Sequence, residues 1–168
     1  MSKLYVNDIY SKDGATEAIN IQSDGDVSFT GNVLVPNRVH VRAVGTGSVA
    51  YINQNSNDGL PMTVIDEDGD GNASSYYNTS TGLFTAPVAG VYFAAFTVLI
   101  AAATNADFRL QKNGSLYQRF YHSSQRGWHG STTVLLEAND TLKFVQATDT
   151  TDVYDYNNYS HVVFTHLG

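Results

Sequence analysis

The sequence predicts an all-β protein, a sandwich or jelly roll of short antiparallel strands. Its 168 residues include 11 Tyr, 8 Phe and 14 Gly, and aromatic residues favour strands while glycine favours the turns between them. Short apolar runs are separated by turn signals such as Asn57-Asp58-Gly59 and Lys112-Asn113-Gly114. No helical period competes with these runs, and strands do not alternate with helices. Many short strands with regular turns are typical of this architecture.

The composition argues against several classes of protein. With 42% hydrophobic and 15% charged residues, the chain has enough apolar residues to form a hydrophobic core. A net charge of −7 argues against a nucleic-acid-binding surface. The absence of cysteine excludes disulfides and thiol chemistry. No apolar segment has the length of a membrane span, so membrane insertion is not expected, and the N-terminus lacks the apolar region of a secretory signal.

The first 37 residues predict a thin β segment of their own. Apolar residues alternate with polar ones in three short pairs, which are Ile19 and Ile21, Val27 and Phe29, and Val33 and Val35. Isolated two-stranded pieces are marginal in water, so association of several chains about one axis is the expected remedy. The alternative is a floppy N-terminal arm. Pro36-Asn37 marks the boundary, which gives a β stalk over 1–37 and a head over 38–168.

The head is predicted to contain many strands around one long apolar run. The strands are expected at 39–44, 49–52, 62–65, 75–77, 83–85, 90–102, 106–112, 115–121, 131–136, 141–147 and 160–166. Residues 91–103 are apolar on both faces, with only Thr97 as an interruption. A strand of this kind must be covered on both faces. We therefore expect a second sheet on one side and another subunit on the other.

Around this run lies a dispersed motif: Tyr77-Asn78, Thr81-Gly82, Phe84, Pro87, Gly90, Tyr92 and Phe96. It is similar to the signature of the C1q-like globular head, within the tumour-necrosis-factor-like superfamily. The turn at 112–114 and the hairpin at 136–142 also resemble that family, with Asn139 where Gly is usual. The departures are Asp66, Ala94 and a C-terminus without Phe-x-Gly-Phe. The resemblance implies an antiparallel jelly roll of about ten strands that forms a tight homotrimer.

The N-terminal segment resembles the short repeated β pieces of bacteriophage fibres. The similar stretches are LYVNDIYSKDG (4–14) and INIQSDGDVSFTGNV (19–33). This resemblance implies a virion structural protein of the tail-fibre or capsid-decoration type, made in the host cytoplasm. The stalk would contact other virion proteins, and the head would bind a host surface glycan or protein. The alternative is a bacterial C1q-like lectin or adhesin.

A candidate calcium loop is predicted at Asp66, Asp68 and Asp70. Carboxylates at alternate positions, followed by Gly71, can wrap oxygen ligands around Ca²⁺. The pattern resembles the start of an EF-hand loop, but Tyr77 stands where the bidentate glutamate would be. The other interpretation is a solvated acidic turn. No cofactor is required.

Aromatic residues provide candidate ligand or receptor contacts. Trp128, flanked by Gly127 and Gly130, is predicted to lie on an exposed loop, and Tyr154 and Tyr156 lie among Asp and Asn residues. Such residues bind saccharides by stacking and hydrogen bonding, and they are favoured at protein interfaces. The other interpretation is packing in the core or between subunits, and Tyr159 is the strongest core candidate.

Catalysis has no support in the sequence. None of the five His residues lies in a Gly-x-Ser-x-Gly or His-Glu-x-x-His context. We therefore expect a protein that is not an enzyme. A small polysaccharide depolymerase is the remaining enzymatic alternative, since it needs only two opposed carboxylates in a cleft.

Overall fold

The computed structural model describes residues 8–10, 17–21, 27–29, 38–47, 51–52, 58–60, 62–104, 106–121, 125–147, 152–156 and 158–168. The chain divides into two compact units, Met1–Pro36 and Asn37–Gly168. No helix in these ranges is long and apolar enough to cross a membrane.

The described residues of the N-terminal unit form three antiparallel strands, β1 (Asp8–Tyr10), β2 (Glu17–Ile21) and β3 (Val27–Phe29). They form one sheet in the order β1-β2-β3. Ile19 pairs with Phe29, and Ile21 pairs with Val27. The predicted strands at Ile19–Ile21 and Val27–Phe29 are thus adjacent partners, whereas Val33 and Val35 lie outside the described residues.

Within the described residues, the second unit, the head, contains twelve strands and one short helix. These are β4 (His40–Val44), β5 (Tyr51–Ile52), β6 (Val64–Asp68), α1 (Ala73–Tyr76), β7 (Tyr77–Asn78), β8 (Leu83–Thr85), β9 (Gly90–Thr104), β10 (Asp107–Lys112), β11 (Ser115–Tyr121), β12 (Gln125–Leu136), β13 (Thr141–Gln146), β14 (Val153–Tyr154) and β15 (His161–His166). A five-stranded sheet has the order β11-β10-β13-β8-β7. A seven-stranded sheet has the order β5-β14-β9-β15-β4-β6, and β12 pairs with the free side of β9. All pairings in the head are antiparallel, as expected for a jelly roll.

The register gives the head two distinct ends. β4 and β15 run antiparallel, with Thr165 opposite His40 and His161 opposite Val44. The chain therefore enters the head at the same end where it finishes, and there the backbone N–H of Val91 donates to the carbonyl of Gly168 at 3.0 Å. We call this the entry end. The opposite end, where β4 finishes and β15 begins, is the far end.

Two turns at the entry end are tied together by one side chain. Asn113 donates to Asp140 at 2.7 Å and accepts from the backbone N–H of Thr141 at 2.8 Å. The hydrogen bond from Asn113, the backbone N–H of Glu137 and Lys112 together lower the pKa of Asp140 to about 2. Asn113 and Asn139 have positive φ angles of 51° and 72°. Asparagine tolerates this left-handed conformation, so Asn139 fits a position where Gly is usual in the resembled family.

The core lies between the two sheets and contains a continuous row of aromatic rings. Each ring centroid lies 4.7–5.7 Å from the next along the row Phe84, Phe164, Phe144, Phe96, Phe108 and Trp128. The even-numbered side chains of β9 from Tyr92 to Ile100 point into this core and are fully buried. The predicted use of one face of the long apolar strand is therefore confirmed.

Four local features differ from the sequence prediction. The strand expected at 62–65 lies at Val64–Asp68. Residues 73–76 form a helix where a strand was expected from Ser75, because a single helical turn leaves no periodicity to detect. Strand β12 begins at Gln125 rather than Ser131, so the Gly-flanked segment is a strand and not a loop. Strand β14, two residues long, was not predicted at all.

Candidate ligand-contact site

A cluster of three tyrosine rings lies at the far end of the head. Tyr154 and Tyr156 are 6.2 Å apart between ring centroids, and each lies 5.8 Å from Tyr159. Tyr159 is 51% exposed, and the other two are half-buried. The structure thus brings the two predicted contact residues together and adds Tyr159. The expectation that Tyr159 is a core residue is wrong.

Asp155 anchors the segment that presents these rings. It lies between Tyr154 and Tyr156 and points the opposite way, so its side chain is buried. Its carboxylate accepts the backbone N–H of Thr46 at 2.7 Å and the Thr46 hydroxyl. Its carbonyl accepts the N–H of Gly47 at 3.0 Å. A side chain at Gly45 would collide with Asp155, since an added Cβ would lie 2.6 Å from that carbonyl oxygen.

The second half of the segment is a hydrogen-bonded turn. The carbonyl of Tyr156 accepts the N–H groups of Tyr159 at 2.9 Å and Ser160 at 3.1 Å. The described residues give the hydroxyls of Tyr156 and Tyr159 no hydrogen-bond partner. The cluster therefore offers aromatic faces and phenolic hydroxyls on a pre-formed support, which suits stacking on a sugar ring or packing against a partner protein.

Trp128 does not belong to this surface. The sequence placed it on an exposed loop, but its side chain is only 1% exposed and packs 5.2 Å from Phe108 between ring centroids. Its indole N–H donates to the carbonyl of Gln125 at 3.1 Å. The surface placement is wrong because β12 extends through this segment, and strand alternation turns Trp128 inward.

The acidic loop has a separate protein partner for each carboxylate predicted to bind calcium. Asp66 pairs with Arg42 at the side of the sheet. Asp68 accepts the backbone N–H groups of Gly71 at 2.8 Å and Ala73 at 2.9 Å, among others. Asp70 accepts the hydroxyl of Tyr76 at 2.9 Å. Within the described ranges no three His, Cys, Asp or Glu side chains are grouped as metal ligands. Calcium binding at this loop stays a prediction.

The Asp68 carboxylate holds the start of α1. Burial alone would raise the pKa of Asp68, but its four backbone N–H donors, at Ala73, Asp70, Gly71 and Asn72, together lower it below the ordinary value. Asp68→Ala should therefore lower the free energy of unfolding by about 1–2 kcal/mol, measured by chemical denaturation near neutral pH. Glu67→Ala, which removes an exposed hydrogen bond with His40 and a 3.8 Å contact with Arg42, should cost roughly 0.5 kcal/mol or less.

The same variant carries a pH signature. Because the folded state lowers the pKa of Asp68, its stabilising contribution is complete above the ordinary aspartate pKa. The contribution disappears as pH falls through the lowered pKa of the folded protein. The stability difference between wild type and Asp68→Ala should therefore shrink in acid, and a difference that does not change with pH would contradict this account.

A second candidate surface is the face of the seven-stranded sheet that points away from the core. Its apolar residues form a band, the apolar stripe, composed of Val91, Phe93 and Ala95 on β9, Leu99 on the far side of Thr97, Leu135 on β12 and Val163 on β15. The strand register places Leu135 opposite Val91 and Val163 opposite Ala95. These residues alternate with the buried core residues of the same strands. Leu135 is 65% exposed.

Two histidines lie on the same face, between Ala95 and Leu99 of the apolar stripe. His129 and His161 both pair with Thr97 in register, from opposite sides of β9. The Nδ1 atom of His161 is buried and has no hydrogen-bond partner among the described residues. Burial lowers the pKa of His161, and the positive charge of Arg42 lowers it further against the opposing effect of Asp66 and Glu67.

Comparison with known proteins supports the architecture. The sequence matches the C1q domain family over residues 49–167. The fold is similar to the globular domain of zebrafish complement 1qA, at 14% identity and a TM-score of 0.57, covering 76% of this chain and 94% of that one. It is also similar to Eiger TNF from S. frugiperda, at 11% identity and a TM-score of 0.56, with coverages of 79% and 94%.

A further similarity is to murine APRIL, at 12% identity and a TM-score of 0.54, covering 78% of this chain and all of that one. No curated protein sequence matches the chain. At these identities the structural similarities establish the fold alone, whereas the sequence match spans more than half of the chain. The antiparallel jelly roll thus agrees with the sequence match, and the chain belongs to the C1q domain family.

Proposed function

We propose that this protein is a non-enzymatic homotrimer that serves as an attachment protein of a virion, of the tail-fibre or capsid-decoration type. The N-terminal β segment would bind other virion proteins, and the head would bind a glycan or protein on the host surface. The observation that carries the attachment role is the tyrosine cluster at the far end, which is opposite the end where the chain enters the head. The resemblance of residues 4–33 to phage fibre segments supports the virion context.

Trimer formation is supported by two different exposed apolar surfaces on one chain. One is the apolar stripe, and the other is the edge strand β11, which exposes Leu116, Tyr117 and Tyr121. When two unlike surfaces bind each other, copies associate head to tail, and they form a closed ring where the rotation between neighbouring copies closes. Contacts of this kind bury both surfaces in every copy and leave the far end of each head free.

A trimer would explain how weak binding by each head can attach a virion to a cell. Three identical heads offer three tyrosine clusters, and once one cluster is bound, the next binds at a high effective concentration. Avidity then exceeds the affinity of a single head without any additional contact. The same reasoning applies to a bacterial lectin or adhesin, so the virion context needs its own test.

Attachment is tested with the Tyr154→Ala/Tyr156→Ala/Tyr159→Ala variant of the full chain. We expect labelled wild-type protein to bind host cells and to reduce adsorption of the virus, and the triple variant to lose at least about tenfold in apparent affinity. Val88→Ala, which removes an exposed apolar side chain from the segment before β9, is the control for cell binding because it lies outside the tyrosine cluster and both apolar surfaces. Equal binding by the wild type and the triple variant would show that the tyrosine cluster is not needed for attachment.

The virion context is tested separately. Antibodies raised against the head should label purified virions and block their adsorption. If the protein is absent from virions but binds cells, the lectin or adhesin alternative takes its place. If antibodies label virions without any effect on adsorption, the role is structural only.

A further inference from the structure

A groove opens at the edge of the head opposite β11 and β12. It lies between β6 of one sheet and β7 and β8 of the other, with α1 across one side. Its volume is about 440 Å³, within the range of small-molecule sites in proteins. The groove is separate from the tyrosine cluster and does not depend on the attachment role, and the acidic carboxylates are not among its lining residues.

The walls of the groove combine apolar surface with uncharged polar groups. Ile65 and Leu83 supply aliphatic surface, and the Asn78 amide is joined by the hydroxyls of four Ser and Thr residues that include Ser75. No carboxylate, ammonium or guanidinium group lines it. A ligand that bears a net charge would therefore be desolvated without an opposite charge to compensate.

Two polar lining side chains are held in place before any ligand binds. The Tyr76 hydroxyl donates to Asp70 at 2.9 Å, and burial and this acceptor raise the pKa of Tyr76, so the phenol is neutral. The Oδ1 atom of Asn78 accepts the backbone N–H groups of Ser80 at 2.9 Å and Thr81 at 3.2 Å. This orients the amide, and its Nδ2 has no acceptor among the described residues. Pre-organised polar groups reduce the entropy lost on binding.

We propose that this groove binds a short neutral saccharide of one or two rings. A pyranose has C–H faces that match Ile65 and Leu83, and its hydroxyls both donate and accept, as the Ser, Thr and Asn groups require. The volume fits this size. An extended peptide adding to the edge of β6 is the competing occupant. The density of hydroxyl groups along the groove favours the sugar.

The test uses the full chain and saturation-transfer NMR with four neutral disaccharides: maltose, cellobiose, lactose and N,N′-diacetylchitobiose. We expect transfer to at least one of them, with a dissociation constant on the order of 1 mM. Ser75→Trp fills the groove from an exposed position and should weaken binding at least about tenfold. Ser115→Trp, exposed at the start of β11 on the opposite edge of the head, is the matched control and should bind as wild type does.

The triple tyrosine variant separates this proposal from the attachment role. It should retain disaccharide binding, because the groove lies on a different part of the head. No transfer to any of the four sugars would overturn the proposal, and so would transfer that persists in Ser75→Trp. Binding of an uncharged extended peptide in place of the sugars would assign the groove to peptides instead.

Discussion

Ala95→Asp should convert the proposed homotrimer into monomers. Ala95 lies in the middle of the apolar stripe, flanked in register by Ser131 and Val163. If this surface is buried between copies, the substitution places one unpaired carboxylate in each of the interfaces. An uncompensated buried charge costs several kcal/mol, so we expect about 3 kcal/mol or more at each interface. Light scattering after size exclusion should give one third of the wild-type mass.

The fold of the monomer should survive this change, since Ala95 points away from the core. Ala89→Asp is the matched control, because Ala89 is exposed in the segment just before β9 and lies outside the stripe. It should remain trimeric. The Ala95→Asp variant should also regain trimers in acid, where protonation removes the buried charge. A trimeric Ala95→Asp variant at neutral pH would show that the stripe is not the interface.

Trp128→Ala should destabilise the head by about 3–5 kcal/mol, the usual cost of removing a buried large aromatic side chain. The change removes the last ring of the aromatic row and leaves the carbonyl of Gln125 without its indole donor. The midpoint of thermal unfolding, compared at equal protein concentration, should fall by roughly 10 °C or more. The proposed binding to host cells should remain at low temperature, where the variant is still folded and trimeric.

Two further measurements test whether Trp128 is a buried core residue. Trp128 is the sole tryptophan, so its fluorescence reports its environment directly. Emission of the native protein should be blue-shifted and protected from acrylamide, and it should shift to the red on unfolding but not on ligand binding. Tyr159→Ala removes an exposed aromatic and should change stability by about 0.5 kcal/mol or less. If Trp128→Ala left stability unchanged and abolished binding to host cells, Trp128 would be a surface contact residue and not a core residue.

Prediction from sequence succeeded where the pattern was long and regular. The run at 91–103 is apolar on both faces, and the structure makes it the central strand of the larger sheet, with its even-numbered residues in the core. The residues of the C1q-like signature are dispersed along the chain, but several of them have specific packing roles. Phe84 stacks on Phe164 at 4.7 Å, and Tyr92 packs 5.6 Å from Phe84. Such positions constrain sequence because the rings must fit one another.

Prediction failed where a short local signal competed with tertiary pairing. Glycines on both sides of Trp128 indicated a loop, but this segment pairs with β9 along its length, from His129 opposite Thr97 to Leu136 opposite Gly90. One of these glycines has a packing reason, since a Cβ at Gly130 would lie 2.3 Å from the ring of Phe120. Glycine in a strand often marks such a close approach rather than a turn. The glycine was visible in the sequence, but the reason for it, the ring of Phe120 on another strand, was not.

For the candidate sites, sequence identified residue types and the fold supplied their neighbours. Tyr154 and Tyr156 were predicted as contacts, but their association with Tyr159 depends on a turn closed by backbone hydrogen bonds to Tyr156. The groove was missed altogether. Its wall residues come from four elements, and Ser, Thr and Asn are common on any surface. Only their convergence makes a site.

The sequence by itself determined the fold class, the family of the head and the long central strand, because strand periodicity and turn residues act locally and repeat along the chain. The tertiary structure decided which aromatic residues are buried, how the carboxylates of the acidic loop are partnered, and where hydroxyl groups converge on a groove. Each of these depends on residues far apart in the chain, such as Thr46 with Asp155 and Arg42 with Asp66. Local pattern fixes which elements form, and packing between elements fixes what each side chain can contact.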